Sequence, residues 1–370
     1  MNIINLATRE NQIEMLGKLE EHSILIGTLA QGQFTEITSW KQIQHLVRAG
    51  LIDKVLNIGD KFLTSFDGNQ HVINVIGINH DKPSDPRFTN SLTLQFEDCL
   101  MNAQFSNYQA LYHAKEVLPA GKHVFTQDDT QERWEIETTQ PVPEGGQIFI
   151  PSWNSDPYYP LKATTYEADR KTIIEDNITV VGTTDEDTLG EVNVRHRIMY
   201  GSNNYKESAI KQWLNSDSNN WAWESQTDYD RPSSYKTKGF LQYLDPELVE
   251  VLGAVDKQVA RNTVTDEGGQ DTFSDKIFLL SRVEVFGGSE TDAVETGENP
   301  YPYYSALAAK ATTGEIPGRI KLLSGSSRSW WLRSPNVSNS FTVRFVRTSG
   351  AVSHYNAYSA YGLSPACVII

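Results

Sequence analysis

The chain has 370 residues, of which 39% are hydrophobic and 21% are charged. A chain of this length is longer than one ordinary hydrophobic core serves, which predicts two domains. The composition excludes a globally disordered chain. The formal net charge of −15 disfavours binding to nucleic acid or to anionic membranes, because both carry negative charge.

The amino-terminal sequence lacks the pattern of a signal peptide. Residues 1–6 have no basic start, and Arg9 and Glu10 interrupt the apolar run. No stretch approaches the roughly 18 consecutive apolar residues that a membrane-spanning helix needs. We therefore expect no membrane partner, and a product that is cytoplasmic, or virion-associated if it leaves the cell within a larger particle.

Residues 1–34 predict a helical leader. Ile13, Leu16, Leu19 and Ile24 recur at intervals that give one apolar stripe. A stripe this short does not close a core of its own. Packing on the next domain and packing on a second copy of the chain both remain open.

Residues 35–185 predict a mainly β domain that opens with a helix. Ser39 is placed to cap this helix, Gln42 occupies the capping-box position, and Ala49-Gly50 ends it. Apolar alternation and turn signals then predict antiparallel strands, which suit a small sandwich. These strands are expected at residues 61–66, 71–78, 91–96, 123–125, 134–137 and 147–150.

Three further features of this region are predicted. Asp67-Gly68-Asn69 is a hairpin turn signal between the first two strands. A short helix is expected within residues 105–117. Residues 151–190 are rich in Pro, Tyr, Thr and Asp, which indicates a linker or domain boundary.

Residues 186–370 predict a second domain with two helices, a few strands and long loops. The helices are expected at residues 208–214 and 246–252, the second with Asp245 as its cap and Pro246 at its first position. Short strands are expected at residues 277–280, 343–346 and 366–369. The whole chain is therefore predicted to be α+β.

Motifs for catalysis and cofactor binding do not emerge from the sequence. It contains no HExxH, no complete GxSxG and no glycine-rich phosphate loop. Cys99 and Cys367 lie far apart in sequence and could pair, but ordinary buried thiols are the favoured interpretation. We predict that the protein is not an enzyme and has no cofactor.

Two acidic segments of the sequence are candidate metal sites. His80, Asp81 and Asp85 could reach a metal, although Lys82-Pro83 fits a surface turn better. The run from Asp266 to Asp271 lacks the ligand spacing of an EF-hand and favours a glycine-rich acidic turn. An isolated structural calcium at this run stays open as the alternative.

The run from Trp330 to Pro335 places two tryptophans and an arginine close together in the sequence. Adjacent tryptophans in a strand point to opposite faces, and both are costly to expose. Arg333 beside them should be buried and paired, with Glu284 and Asp275 as candidate partners.

Residues 336–361 are dominated by Asn, Ser, Tyr, His and Arg, with a strand in the middle. Tyr supplies contact area at low entropic cost, and Ser and Asn supply adaptable hydrogen bonds, so this composition is typical of binding loops. A plain polar loop is the equal alternative. Strand alternation places Thr342, Arg344 and Val346 on one face, and Val343 and Phe345 on the other.

An ordered set of motifs resembles a family of phage and prophage proteins whose carboxy-terminal domain is similar to C-type-lectin and formylglycine-generating-enzyme folds. The family includes variable proteins of diversity-generating retroelements. The motifs are residues 200–205, 209–215, 278–281, 330–335 and 362–366, with weaker likeness from residue 38 onward.

The resemblance implies a C-type-lectin-like domain at residues 186–370 that displays a diversifiable ligand surface. Its expected ligand-facing residues are Asn336, Ser338, Asn339, Ser340, Arg344, Arg347, His354, Tyr355, Asn356, Tyr358, Ser359 and Tyr361. The implied partners are a protein or glycan receptor on a cell surface, other phage particle components and further copies of the chain, with a trimer as the expected oligomer.

Two alternatives to host recognition follow from the same resemblance. A structural virion component, such as a tail or head decoration protein, would carry the lectin-like domain with a fixed surface. An enzyme of the formylglycine-generating type would need a cysteine pair, and the predicted placement of Cys99 and Cys367 in different domains argues against that enzyme.

Overall fold

The computed structural model is a mixed α+β fold in which antiparallel pairing predominates, as expected from the sequence. It describes residues 37–106, 110–114, 116–126, 133–144, 146–150, 162–166, 173–183, 194–197, 202–221, 231–264, 266–287, 295, 297–308 and 317–370. The predicted leader at residues 1–34 lies outside this described part. Within it, no helix is both long and apolar enough to cross a membrane.

The helices and strands follow one another along the whole described chain. The helices are α1 (Trp40–Arg48), α2 (Ala209–Leu214), α3 (Pro246–Val251), α4 (Arg282–Phe286) and α5 (Pro302–Ala308). The strands before residue 200 are β1 (Lys61–Phe66), β2 (Asn69–Ile78), β3 (Leu92–Phe96), β4 (Met101–Gln104), β5 (Ala110–Ala114), β6 (Gly121–Thr126), β7 (Arg133–Thr138), β8 (Gln147–Ile150), β9 (Lys162–Tyr166), β10 (Ile173–Thr183) and β11 (Val194–Arg197). The later strands are β12 (Val255–Ala260), β13 (Gln270–Asp275), β14 (Ile277–Phe278), β15 (Lys321–Leu323), β16 (Ser326–Arg328), β17 (Trp330–Pro335), β18 (Thr342–Val346), β19 (Val352–Asn356), β20 (Ala360–Leu363) and β21 (Ala366–Ile369).

Two five-stranded sheets join the beginning and the end of the described chain. One has the order β1-β2-β3-β21-β14, so the last strand pairs antiparallel with β3. The other has the order β19-β18-β17-β20-β4, with β4 supplied from before residue 105. Strands from both sides of the predicted boundary at 185/186 therefore share these sheets, and the sheets do not follow that boundary.

A seven-stranded sheet occupies the intervening segment, with the order β11-β5-β8-β9-β10-β7-β6. The helix predicted within residues 105–117 was wrong, because Ala110–Ala114 is a strand paired with β8 and β11. The linker predicted at 151–190 was also wrong where it is described, since β9 and β10 pair there as antiparallel strands.

Local signals at the start of the first sheet were confirmed. The Ser39 side chain accepts a hydrogen bond from the amide of Gln42, and α1 ends at Arg48 with Ala49 as its C-cap, before Gly50, whose φ is +68°. Asp67 and Gly68 both have positive φ between β1 and β2, as a tight hairpin turn requires.

The main hydrophobic core draws on both ends of the described chain. It includes Ile73 and Leu94 from the first sheet, Trp213 from α2 and Trp331 from β17, all fully buried. Cys99 and Cys367 are free and buried in the same core, in agreement with the interpretation as ordinary buried thiols. Burial raises the pKa of each thiol to about 12.

Candidate functional site

Strand β17 is the buried frame of the candidate site. Every residue from Trp330 to Pro335 is buried. The indole of Trp330 donates to the Arg319 carbonyl at 2.9 Å, and that of Trp331 donates to the Ala103 carbonyl at 2.8 Å. Each indole thus fills apolar space and satisfies its one polar group, which fixes the strand beside the predicted surface.

Arg333 on this strand is paired, as predicted. Its guanidinium contacts Glu284 at 2.5 Å and Glu298 at 2.8 Å, and it also donates to the carbonyls of Gln258 and Leu279. Asp275, the other candidate partner, instead pairs with Lys211 at 3.0 Å. The reason is geometric, since Asp275 ends β13 beside α2.

Lys257 extends this ion pair into a buried network. Its ammonium contacts Asp81 at 2.7 Å and Glu298 at 2.9 Å, and it also contacts Glu284. The Tyr301 hydroxyl donates to Asp81 at 2.8 Å. Asp81, the central residue of the possible metal site at His80, Asp81 and Asp85, is therefore paired with Lys257 and Tyr301.

The pKa values of the two glutamates in the network are shifted in opposite directions. Burial alone would raise the pKa of Glu284, but Arg333 and Lys257 outweigh it and hold the pKa well below its usual range. Burial raises the pKa of Glu298, and the charge of Glu284 adds to that rise. Both buried cations contact both glutamates, and Glu284 is the glutamate whose pKa they hold down.

The loop from β17 to β18 is held from beneath by a buried asparagine. The side-chain amide of Asn203 donates to the carbonyls of Asn336, Asn339 and Thr342, at 3.3, 2.5 and 3.0 Å. The side-chain Oδ1 of Asn203 accepts a hydrogen bond from the side-chain amide of Asn262 at 2.9 Å. The carbonyls of Thr342 and Asn336 also accept backbone hydrogen bonds from the amides of Asn336 and Asn339, so the Asn203 side chain adds to the backbone pairing of the loop and fixes its path.

The acidic run from Asp266 to Asp271, for which a calcium loop is the alternative interpretation, supports the same loop from another side. Asp266 is buried, and its Oδ2 accepts amide hydrogen bonds from Asn204 at 3.0 Å and Asn262 at 3.1 Å. The glycines that follow take positive φ, as a tight turn requires. In the part of the chain that the structure describes, no cluster of three or more His, Cys, Asp or Glu is arranged to hold a metal.

The hairpin formed by β18 and β19 carries the centre of the predicted surface, at the edge of its sheet. Arg344 pairs in register with His354, and Thr342 pairs with Asn356. Cross-strand partners project from the same side of a sheet, so these four side chains form one block, here called the arginine face. Asn336 adjoins it, since Arg344 donates to the Asn336 Oδ1 at 3.4 Å.

The opposite side of the hairpin is aromatic. Phe345 stacks on Tyr361 with ring centroids 4.7 Å apart, and Trp331 meets Tyr361 edge-on at 4.8 Å. Tyr355 lies edge-on to Tyr361 at 5.8 Å and is 49% exposed. Phe345, Tyr355 and Tyr361 are here called the tyrosine face. Ring contacts therefore extend from the buried Trp331 to the exposed Tyr355.

The expected ligand-facing residues therefore divide between two faces. Arg344, His354 and Asn356 lie on the arginine face, with Asn336 and Ser338 beside it. Tyr355 and Tyr361 lie on the tyrosine face, and Arg347 reaches that side by donating to Ser353 at 3.0 Å.

The other expected residues lie between or below the two faces. Ser340 is buried, so its expected exposure to a ligand is corrected. The side chain of Asn339 is used within the loop, where it accepts from the amides of Phe341 and Thr342. Tyr358 and Ser359 are half-buried in the turn before β20.

Two residues with structural roles here had no role predicted from the sequence. Asn203 supports the loop from 133 to 139 positions away, and a contact at that distance leaves no local pattern. Thr342 is buried although Arg344, two residues later, is half-buried, because both ends of β18 (residues 342–343 and 345–346) are buried. The polar run from Ser202 to Asn204, all of it buried, was the only signal that could have drawn attention to this support.

Comparison with known proteins gives one family. Residues 169–370 match the family described as Domain of unknown function (DUF6273). No curated protein and no solved structure matches the sequence. The family match spans more than half of the chain, and the chain belongs to the DUF6273 family.

Proposed function

We propose that this protein binds a receptor through the surface of the β18–β19 hairpin, presented by a C-type-lectin-like domain. The receptor is a protein or a glycan on a cell surface. The protein belongs to a phage or prophage, acts in adhesion or host recognition as an oligomer on the particle, and is not an enzyme. Its residues 336–361 form a surface that a retroelement can diversify.

The observation that carries this proposal is the contrast between frame and surface. Strand β17 is buried throughout, and Asn203 holds the following loop by three hydrogen bonds. On this frame, His354, Tyr355 and Arg347 are exposed. A rigid frame that presents Tyr, Arg, His and Asn side chains has the properties of a binding surface, because Tyr supplies contact area at low entropic cost and Asn supplies adaptable hydrogen bonds.

Two alternatives are less well supported. A structural virion component with a fixed lectin-like domain would favour an apolar tip, whereas this hairpin carries polar and aromatic side chains. An enzyme of the formylglycine-generating type would need reactive thiols. Burial raises the pKa of Cys99 and of Cys367 to about 12, which disfavours the thiolate that such chemistry uses.

The test is a pair of double variants of the full chain. His354→Ala with Tyr355→Ala alters both faces of the hairpin at exposed positions. Leu63→Ala with Gln70→Ala makes a matched change at exposed positions of the other five-stranded sheet. Binding is measured on a panel of intact cells, immobilised glycans and purified surface proteins.

We expect the original chain to bind at least one member of the panel. The hairpin variant should lose about tenfold or more in affinity, because exposed aromatic and basic side chains dominate such contacts. The control variant should bind as the original chain does. Equal losses in both variants, or no binding by the original chain, would contradict the proposal.

A further inference from the structure

Strand β19 is an open edge of its five-stranded sheet. In the order β19-β18-β17-β20-β4 it has one neighbour, β18. No residue of β19 is buried, whereas four of the five residues of β18 are buried. One side of the β19 backbone therefore faces away from the sheet, at the outer rim of the proposed binding surface.

The register of the hairpin identifies the backbone groups on that side. Just beyond the paired residues, the amide of Ala357 donates to the carbonyl of Phe341. Antiparallel strands alternate between pairs that exchange hydrogen bonds and pairs that do not, so Val352, His354 and Asn356 direct their N–H and C=O groups away from β18. Within the described chain, no other backbone group pairs with those of Val352 or His354.

The other three edge strands of the two five-stranded sheets receive hydrogen bonds from elsewhere in the chain. At β4, the Tyr235 hydroxyl donates to the carbonyl of Gln104. At β14, the Asn215 side chain bonds both the amide and the carbonyl of Ile277. Residues 243–245 bond the hairpin end of β1. Folded proteins usually protect their sheet edges in such ways, so β19 differs from the other edges of this fold.

The sequence of β19 also lacks the features that keep an edge strand from pairing. Val352–Asn356 contains no Pro, Lys, Asp or Glu, which are residues that protect edges. Val352 and Tyr355 favour extended structure. The strand is therefore a template for one more strand, because an extended chain has the alternating N–H and C=O groups that match it.

The charge of the surrounding segment indicates which strand fits. Residues 316–370 contain six Lys and Arg residues and no Asp or Glu. Arg347, in the turn before β19, is exposed, and its hydrogen bond goes to the neutral hydroxyl of Ser353. Pairing of β19 with a second copy brings two such segments together, and their like charges repel. An acidic strand complements the segment instead.

We propose that the open edge of β19 binds an extended, acidic strand of a protein partner, which adds one strand to the sheet. This inference rests on the proposed function and identifies the receptor as a protein that is recognised through its main chain. The backbone groups of Val352 and His354 make the pairing, and side chains on both faces of β19 add specificity. Main-chain pairing does not depend on side-chain identity, so residues of β19 can vary while the docking geometry is kept.

Proline substitution tests the backbone pairing directly. His354→Pro removes an outward N–H and leaves the pairing with β18 in place, because that amide faces away from β18. His354→Ala removes the same side chain and keeps the N–H, which makes it the matched control. Val352→Pro and Val352→Ala repeat the comparison at the next outward position.

A charge reversal tests the acidic character of the partner without changing the backbone. Arg347→Glu reverses the exposed charge in the turn before β19. Arg87→Glu is its control, because it makes the same change at an exposed arginine that pairs with Asp85.

The probes are three labelled peptides with blocked ends, and their binding to the full chain is measured by fluorescence anisotropy. The first has the strand-forming core Thr-Val-Thr-Val-Thr with two glutamates on each side. The second has the same core with two lysines on each side. The third keeps the glutamates but has the core Thr-Pro-Thr-Pro-Thr, which cannot donate along a strand.

We expect the acidic strand peptide to bind about tenfold or more tightly than either of the other peptides. Each proline variant should bind it about tenfold or more weakly than the matching alanine variant, with unfolding midpoints within about 4 °C of one another. Arg347→Glu should weaken binding about threefold or more, and Arg87→Glu less than about twofold.

The inference is overturned if the acidic strand peptide does not bind, if the proline-containing peptide binds equally well, or if folded proline and alanine variants have equal affinities. Where a proline variant unfolds, Arg347→Glu decides, and an affinity equal to that of Arg87→Glu rejects the acidic strand. A dimer in sedimentation that His354→Pro abolishes assigns the edge to a second copy and rejects the protein partner.

The cell, glycan and protein panel separates this inference from the proposed function. If binding to the panel is lost in the His354/Tyr355 double variant but His354→Pro binds as His354→Ala does, the proposed function stands and only the strand pairing is rejected.

Discussion

Replacing Arg333 by methionine should lower the free energy of unfolding by about 3–5 kcal/mol. The side chain is fully buried and contacts two glutamates and two backbone carbonyls. Without it, Lys257 is the one cation left among the buried carboxylates of Asp81, Glu284 and Glu298 that it contacts. An uncompensated buried charge costs far more than the ion pair contributes, which is the reason for the large effect.

Denaturant unfolding at neutral pH measures this loss. Adding Glu284→Gln to Arg333→Met removes the stranded charge, so the double variant should recover part of the lost stability. Arg87→Met, which breaks an exposed pair with Asp85, is the control and should leave the unfolding midpoint nearly unchanged. A loss below about 1 kcal/mol for Arg333→Met would show that the network is not a determinant of stability.

Trp331→Ala should also destabilise the protein by about 3–5 kcal/mol, because it opens a large cavity in the core. It removes edge-on contacts with Phe105 and Tyr361 and leaves the Ala103 carbonyl without its donor. The tyrosine face should lose its support as a result. Faster hydrogen exchange at residues 342–363 would report that loss.

Trp331→Phe is the matched variant for this position. It keeps an aromatic ring in the cavity and removes the indole hydrogen bond, so we expect a loss of about 1–2 kcal/mol and little change in hairpin exchange. If Trp331→Ala leaves exchange in the hairpin unchanged, Trp331 supports the core but not the binding surface.

Signals that act over a few residues were predictable from the sequence. The Ser39 cap, the Asp67-Gly68 turn and the Asp245 cap of α3 are each set by neighbours within four positions. The pairing of Arg333 with Glu284 was also anticipated, because a buried guanidinium needs a carboxylate and few candidates were available.

Long-range pairing was not predictable from one sequence. The alanines at 110 and 114 favoured a helix, but pairing with β8 and β11 overrides that propensity. Polar and proline-rich composition suggested a linker at 151–190, whereas the run of β-branched residues in β10 was the signal for a strand. The pairing of β3 with β21 joins residues more than 270 positions apart, and no local sequence signal predicts this pairing.

The sequence indicated which residues form the candidate surface but not how their side chains are arranged. Strand alternation correctly separated Arg344 from Phe345. It could not show that Ser340 is buried, because the bend before β18 is held from below by Asn203, through a contact that is remote in sequence.

The most direct measurement is to sequence this gene in many individuals of one natural population and to map the amino-acid changes. A diversified binding surface on a fixed frame predicts that changes concentrate in residues 336–361 at exposed positions such as Tyr355 and Arg347, and spare the buried Trp330–Pro335 and residues 362–370. Changes spread evenly along the chain would contradict diversified display and favour a fixed structural component.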